Sequence, residues 1–320
     1  MTRQTCFAPK RRALLARCAE LAAGAWLLPP ALHAQVRASE PAAYAPQRGQ
    51  PGKDVMWIAT PDALVTRMLR LAQLTPQDRL IDLGSGDGRI VIAAAREGAQ
   101  ALGIELNADL VALSRRRAAE AQLAERARFE SADLFDTDLS GASVITMYLL
   151  PLLNLRLRPR LMALAPGTRI VSHAFRMGRW QPDESSRIGS AAVHLWLVPA
   201  NAGGDWKLTF PQRAGPVTVG LSTRQRFQNV QGEAVFSEFA ALLRDAKVAG
   251  ERFSFDLTDA DGHLRRFVGR IAGDAMEGSV YDFSAGGTRA LFSARRSGPA
   301  PAIEGSGPAP ESEAESLGND

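Results

Sequence analysis

"LIDLGSGDGRIVIAA", residues 80–94, joins an apolar run to the start of a helix through three glycines, Gly84, Gly86 and Gly88. A strand, a glycine turn and a helix in that order bring backbone N–H groups and the positive end of the helix against a ligand. Glycine serves there because no side chain blocks the approach and because the turn can use positive φ. The dinucleotide fingerprint G-x-G-x-x-G needs its third glycine where this chain has Arg89, so that spacing fails. An acidic residue does follow at Glu105, where a ribose diol would find a carboxylate acceptor. Asp82, just ahead of the turn, would repel a pyrophosphate and suits a ligand carrying an ammonium group.

Outward from this stretch, strands and helices alternate. "TPDALVTRMLRLAQL" has Thr60 as an N-cap, Pro61 in the first helical position, and Leu64, Met68 and Leu71 on one face. "RLIDLG" reads as a buried strand, Arg89 to Glu97 as a helix, 101–106 as the next strand and Ala108 to Glu125 as a long helix. Further strands are expected at 127–133, 142–150 and 168–175, with a helix around Arg160–Leu164. A hairpin from "AAVHLWLVPA" to "DWKLTF" is expected at one edge. Crossovers of this length indicate a parallel sheet covered on both faces. After Phe210 the pattern changes to short strands and tight turns, with helix limited to Ser237–Asp245. The chain therefore divides into a leader (1–34), a linker (35–52), an α/β domain (53–210), a mainly β module (211–296) and an acidic tail (297–320) expected to be disordered.

Charge and cysteine content narrow the function. Of 38 basic and 34 acidic residues, the first 35 positions hold five basic side chains against Glu20 alone, so the remainder is balanced. A basic surface for nucleic acid is not expected, nor is a nucleic-acid partner. Lys10, Arg11 and Arg12, the apolar "LAAGAWLLPPAL" and a small-residue exit near Ala34 have the layout of a secretory signal peptide. An exported or periplasmic chain is expected, with a cytoplasmic or membrane-tethered one as the alternative, and no later stretch is long and apolar enough to span a bilayer. Cys6 and Cys18 both lie in that leader, so a processed chain has no thiol for a disulfide, a nucleophile or a zinc site.

"IDLGSGDGR", Glu105 and Asp133 together resemble the nucleotide half of class I S-adenosylmethionine-dependent methyltransferases. The resemblance implies a doubly wound, mostly parallel, seven-stranded Rossmann-like α/β sheet, here followed by a smaller mainly β module. It implies S-adenosyl-L-methionine as cofactor, with the motif on Asp82, Gly84, Gly86 and Gly88, the ribose acid on Glu105, and Asp133 and Leu134 beside the adenine; Ser85 and Leu106 complete the set. Across residues 54–200, "DLGSGDGRIVIAA", "GIELNADLVALSR", "YLLP", "SHAF" and "WIATP" (Trp57, Thr60, Pro61) are similar to a narrower group. These are the small protein-lysine methyltransferases that modify the c-type subunit of ATP synthase or the adenine nucleotide translocase, and their bacterial relatives. The likeness implies a lysine-bearing protein substrate; the leader and the module after Phe210 fall outside it.

Methyl transfer from a sulfonium is an in-line displacement, so alignment and exclusion of water are the protein's main tasks, and no metal is required. A lysine acceptor must be neutral to attack, which a partly desolvated pocket promotes. Tyr148, at the end of "MYLLP", and His173, at the end of the fifth strand, are the candidate catalytic residues. Each has a bland reading beside it, Tyr148 as a core edge and His173 as a structural histidine without a visible partner. Trp180 could line the acceptor channel or pack on the sheet, packing being favoured, while "SRRR" (114–117) is expected to be a solvated helix face and the arginines of "NLRLRPR" (154–160) surface groups. A small-molecule N- or O-methyltransferase and an exported binding protein without turnover remain the alternatives.

Overall fold

The computed structural model describes Tyr44, Pro46, Gln47, Gly49 and residues 58–317. The signal-peptide reading, nearly all of the linker and Trp57 lie outside these described residues. Pro61 opens α1 (Asp62–Leu71), and Leu64, Val65, Met68, Leu69 and Leu71 bury one face of it. Pro61 stands at the N-cap, and Thr60 does not cap the helix as expected: its hydroxyl turns away to the end of the sheet.

The apolar run of the quoted stretch becomes β1 (Arg79–Leu83), and Arg89–Arg96 becomes α2. They are followed by β2 (Gln100–Glu105), α3 (Ala108–Glu120), β3 (Ala127–Ser131), β4 (Val144–Met147), α4 (Pro151–Met162) and β5 (Arg169–His173). Then come β6 (Glu184–Ile188) and β7 (Ala191–Leu197), giving a seven-stranded sheet in the order β3-β2-β1-β4-β5-β7-β6. The first five strands run parallel, while β7 lies antiparallel to both β5 and β6. The hairpin expected between 191–200 and 205–210 does not form: β7 pairs with β6 instead, and the segment from Gly204 onward leaves the sheet altogether. Strand order reverses between β1 and β4, so the crevice at their carboxyl ends is where an open α/β sheet binds ligands.

Two cores cover the faces of this sheet. One packs α1, α2 and α3 through residues such as Met68, Val91 and Val111 onto Leu80, Val144 and Val171. The other gathers Leu83, Ile145, Leu157, Leu161, Trp180 and Trp196 beneath α4. Trp180 is fully buried, as its packing role requires.

The module that follows is a closed antiparallel barrel. Its strands are β8 (Gly204–Gln212), β9 (Gly215–Arg226), β10 (Asn229–Val235), β11 (Ala240–Leu242), β12 (Arg244–Ala249), β13 (Arg252–Thr258), β14 (Leu264–Ala272), β15 (Ala275–Asp282) and β16 (Thr288–Arg296). Their order is β11-β10-β12-β13-β14-β15-β16-β8-β9, and pairing of β9 with β10 closes the ring. Burial alternates along β9, and Trp206, Phe210, Phe253, Phe255, Phe267 and Phe292 fill the interior, as expected for a small barrel. The helix expected at Ser237–Asp245 is absent: Ala240–Leu242 pairs with Glu233–Val235, and cross-strand pairing overrides the local helical spacing. The tail is not disordered between 297 and 317. Ile303 packs into the core beneath α4, Glu304 bridges Arg226, and α5 (Glu311–Leu317) docks against α4 through a buried ion pair.

Candidate functional site

Gly84, Gly86 and Gly88 have φ of +75°, +53° and +80°, which makes the turn after β1 a glycine structure by necessity. At Gly88 a Cβ would also lie 2.8 Å from both Phe129 and Ser114, so a side chain there has no room. The Gly84 and Ser85 amides both donate to Ile104 O at 2.9 Å, which pins the turn to the end of β2. The buried Ser85 hydroxyl lies against Gly103, in the space a Cβ would fill there, and the amide bonds to Ile104 hold that residue toward the sheet.

Three carboxylates stand around this turn. Asp82 is buried at the end of β1, directly across the switch point from Thr146 of β4, whose hydroxyl donates to its Oδ1 at 2.7 Å. Burial, reinforced by the charges of Glu105 and Asp87, pushes the Asp82 carboxyl up to about 7. Glu105 ends β2, with Oε2 accepting from the Gly86 amide at 3.0 Å and Oε1 from the Asn107 amide at 2.9 Å. Both oxygens keep a lone pair for a second donor in this pose. Asn107 in turn caps α3, accepting from the Asp109 and Leu110 amides. Asp133 follows β3, its Oδ1 accepting from the Phe135 amide at 2.9 Å, and the neighbouring Ala132 amide donates to Glu105 O. Leu106 is exposed and Leu134 half-buried at the same strand ends, so both present apolar surface beside the carboxylates.

A supporting layer around the turn carries no signature in the glycine motif. Asp87 is buried and receives Arg89 through two bonds, at 2.9 and 2.7 Å, and Arg117 at 2.6 Å. These bonds outweigh the desolvation of Asp87 and hold its carboxyl below the ordinary value. "SRRR" is thus not a simple solvated face. Ser114 donates to Gly86 O and Arg115 to Phe129 O, while Arg117 reaches Asp87, and all three brace the turn. Arg89 also donates to Thr60 O at 3.0 Å, tying the Thr-Pro element to the glycine turn.

Tyr148 and His173 are brought together at the ends of β4 and β5, with ring centroids 3.9 Å apart. His173 does have a partner: Nδ1 lies 3.1 Å from the Thr60 hydroxyl. Burial lowers its pKa, so the imidazole is neutral at pH 7. Beyond it the chain turns sharply. Ala174 takes a φ of +65°, and the Phe175 amide returns to His173 O at 2.8 Å, a strained three-residue turn of the kind found at functional sites. This turn places the Phe175 ring 6.1 Å from that of Tyr148, completing a wall of three rings. Positive φ at an alanine leaves no signature in the sequence, so Phe175 could not be found there.

The ANTKMT methyltransferase domain model matches residues 82–184, the span holding every group described above except Thr60. A protein-lysine N-methyltransferase of Saccharolobus islandicus is 37% identical over 151 residues, covering 45% of this chain and 94% of that protein. The mouse lysine N-methyltransferase of the ATP synthase C-type subunit is 38% identical over 140 residues, 43% of this chain and 55% of that enzyme, so the chain spans about half of the mouse protein's length. A Salinibacter ruber structure described as an RNA methyltransferase with S-adenosyl-L-homocysteine is 50% identical, covering 44% of this chain and 94% of that one at a TM-score of 0.44. A turn with bare backbone and three convergent carboxylates fits a ligand that combines a ribose diol with a cationic amino-acid end. Site geometry and sequence likeness therefore agree, and the chain belongs to the ANTKMT-like family of S-adenosylmethionine-dependent methyltransferases.

Proposed function

We propose that this protein methylates lysine side chains of a protein substrate. The observation that carries the reading is the ring wall of Tyr148, His173 and Phe175 standing at the same strand ends as the Asp82–Glu105 turn. The identity to the archaeal protein-lysine enzyme over nearly its whole length supports it.

In this reading Asp82 faces the donor's cationic amino-acid end, and the glycine turn lets the backbone approach it. Glu105 takes the ribose hydroxyls, while Asp133, Leu106 and Leu134 border the adenine. Bound S-adenosylmethionine supplies a methyl group on a positively charged sulfur, ready for in-line displacement. The residues of the wall then have two tasks. They exclude water from the acceptor side, and they favour the neutral amine over the ammonium by desolvation. His173, neutral and steadied at Nδ1 by Thr60, has Nε2 as the nitrogen that accepts a proton from the incoming lysine.

Tritiated S-adenosylmethionine incubated with the protein and a total cell extract tests this. Label recovered as methyl-lysine after acid hydrolysis is the expected result. Label confined to RNA or to small molecules would overturn the lysine reading. We further propose that the chain is exported and processed near Ala34; an intact mass retaining residues 1–34 in protein isolated from cells would refute that.

A further inference from the structure

The segment after His173, "AFRMGRWQ" (174–181), carries the Phe175 ring and then crosses beneath α4 to reach β6. Its backbone is held from several sides. Ser172 of β5 donates to Phe175 O at 2.7 Å, and Asn154 of α4 reaches Phe175 O and Arg176 O, both at 3.4 Å. Arg158 of α4 donates to Met177 O at 3.2 Å. From the barrel, Gln228 donates to Gln181 O at 2.7 Å, and Phe227 stacks on Trp180 with centroids 6.3 Å apart.

The remaining holder comes from far along the chain. Glu313 of α5 accepts from Arg158 through both carboxylate oxygens, at 2.6 and 3.2 Å, and its Oε1 also accepts from the Arg179 amide at 2.6 Å. Arg158 and Glu313 are only 1% and 4% exposed, so water supplies little of their solvation. Gly178, with φ of +58°, makes the approach possible: a Cβ there would sit 2.2 Å from Glu313 Oε1. A buried ion pair is weak evidence for stability, because apolar residues of similar volume often hold two helices together as well. An apolar pair could dock α5 on α4. A side chain with an acceptor oxygen, here Glu313 Oε1, is needed to meet Arg158 and the Arg179 amide together, and so fixes backbone 178–179 against α4.

We propose that Glu313 is a positioning residue for methyl transfer: by fixing segment 174–181 it holds the Phe175 side of the acceptor wall in register with His173 and Tyr148. This rests on the lysine reading above and adds to it a dependence on the chain beyond the barrel, which lies outside the 82–184 match.

The test compares wild type with Glu313→Ala and with the double variant Arg158→Met, Glu313→Met. The double variant leaves no buried charge unpaired, so it keeps α5 docked even if Glu313→Ala unfolds. Three quantities are read: the Kd for S-adenosylhomocysteine, amide hydrogen exchange across 174–181 and across 84–88, and the rate of tritium transfer to extract protein at saturating donor. The expected result for the double variant is a Kd within about twofold of wild type, faster exchange in 174–181 alone, and a transfer rate down by about tenfold or more. Unchanged exchange in 174–181, or unchanged transfer despite faster exchange, would overturn the proposal. If wild type labelled no protein, the lysine reading would fall, while the exchange data would still decide whether the Arg158–Glu313 pair holds the segment.

Discussion

Replacing Asp82 by asparagine removes a carboxyl that burial has pushed up to about 7, in a position where the ligand's positive end is placed by the reading above. Asp82 is 2% exposed, has the Thr146 hydroxyl at 2.7 Å, and faces the like charges of Glu105 and Asp87. In the empty site it is therefore close to half ionised at neutral pH. A ligand with an ammonium group binds the ionised form better and must draw a proton off the rest. For a group titrating near 7, the ionised fraction rises about tenfold between pH 6 and pH 8, equivalent to about 1.4 kcal/mol of binding free energy. The Kd for S-adenosylhomocysteine should tighten by that factor over this range. Calorimetry in two buffers of different ionisation enthalpy should show nearly one proton released at pH 6 and almost none at pH 8. The stability sign runs the opposite way. A carboxyl whose folded pKa lies above its unfolded value loses stabilising effect as pH rises from about 4 to 7, a cost of about 4 kcal/mol when complete. Asp82→Asn should thus melt higher than wild type at pH 8, not at pH 4, and bind the ligand weakly at both pH 6 and pH 8. His173, whose pKa is lowered, contributes to any slope below pH 6.5, so the same titration is run on His173→Gln. A wild-type Kd that is flat from pH 6 to pH 8, or an equal slope in Asp82→Asn, would refute the reasoning.

Gly88→Ala should cost about 1–3 kcal/mol, because it forces an alanine to φ of +80° and drives a Cβ into Phe129 and Ser114; thermal melting checks it, and an unchanged Tm would count against the turn geometry. Glu105→Ala removes the acceptor of two backbone amides and the proposed ribose acceptor together, so affinity for S-adenosylhomocysteine should drop by about tenfold or more, measured by calorimetry. Thr60→Val keeps the volume but removes the hydroxyl from His173 Nδ1; the donor Kd should hold, while transfer to extract protein slows by about tenfold.

The parts of this site that were legible in the sequence are those whose chemistry is local. Three glycines, Asp82 and Glu105 announce a turn and its ligand within 24 residues, and α1 shows itself by period. What stayed hidden depends on partners far apart in the chain. Thr60 looks like an N-cap because Pro61 follows it, but its hydroxyl reaches His173, 113 positions away. Arg158 looks like a surface arginine because nothing within a helical turn of it is acidic; its partner Glu313 is 155 positions away. The tail lacks apolar periodicity and so reads as disorder, yet two ion pairs, a strand bridge and Ile303 help to seat it. The edge of the sheet failed for a topological reason. Neighbouring strands usually pair with each other, but here β7 is consumed on both sides by β5 and β6, so the next strand must start a new sheet.

The arginines that seemed idle explain how the site tolerates its own charge. The charges of Glu105 and Asp87 add to burial in making Asp82 harder to ionise. Of these three carboxylates, Arg89 and Arg117 bond only Asp87, holding it charged at neutral pH, and they do so from the side of the turn where α1, α2 and α3 converge. With Asp87 matched in this way, Asp82 and Glu105 remain as the two carboxylates that face the crevice. Neither of these has an arginine bonded to it among the described residues, and Asp82 makes its one side-chain hydrogen bond to a neutral hydroxyl. A site arranged this way reserves its unmatched negative charge for a ligand. That is the electrostatic form of a preference for a ligand with a cationic amino-acid end, which donor and product share, and it derives from where two arginines are spent rather than from the glycine motif itself.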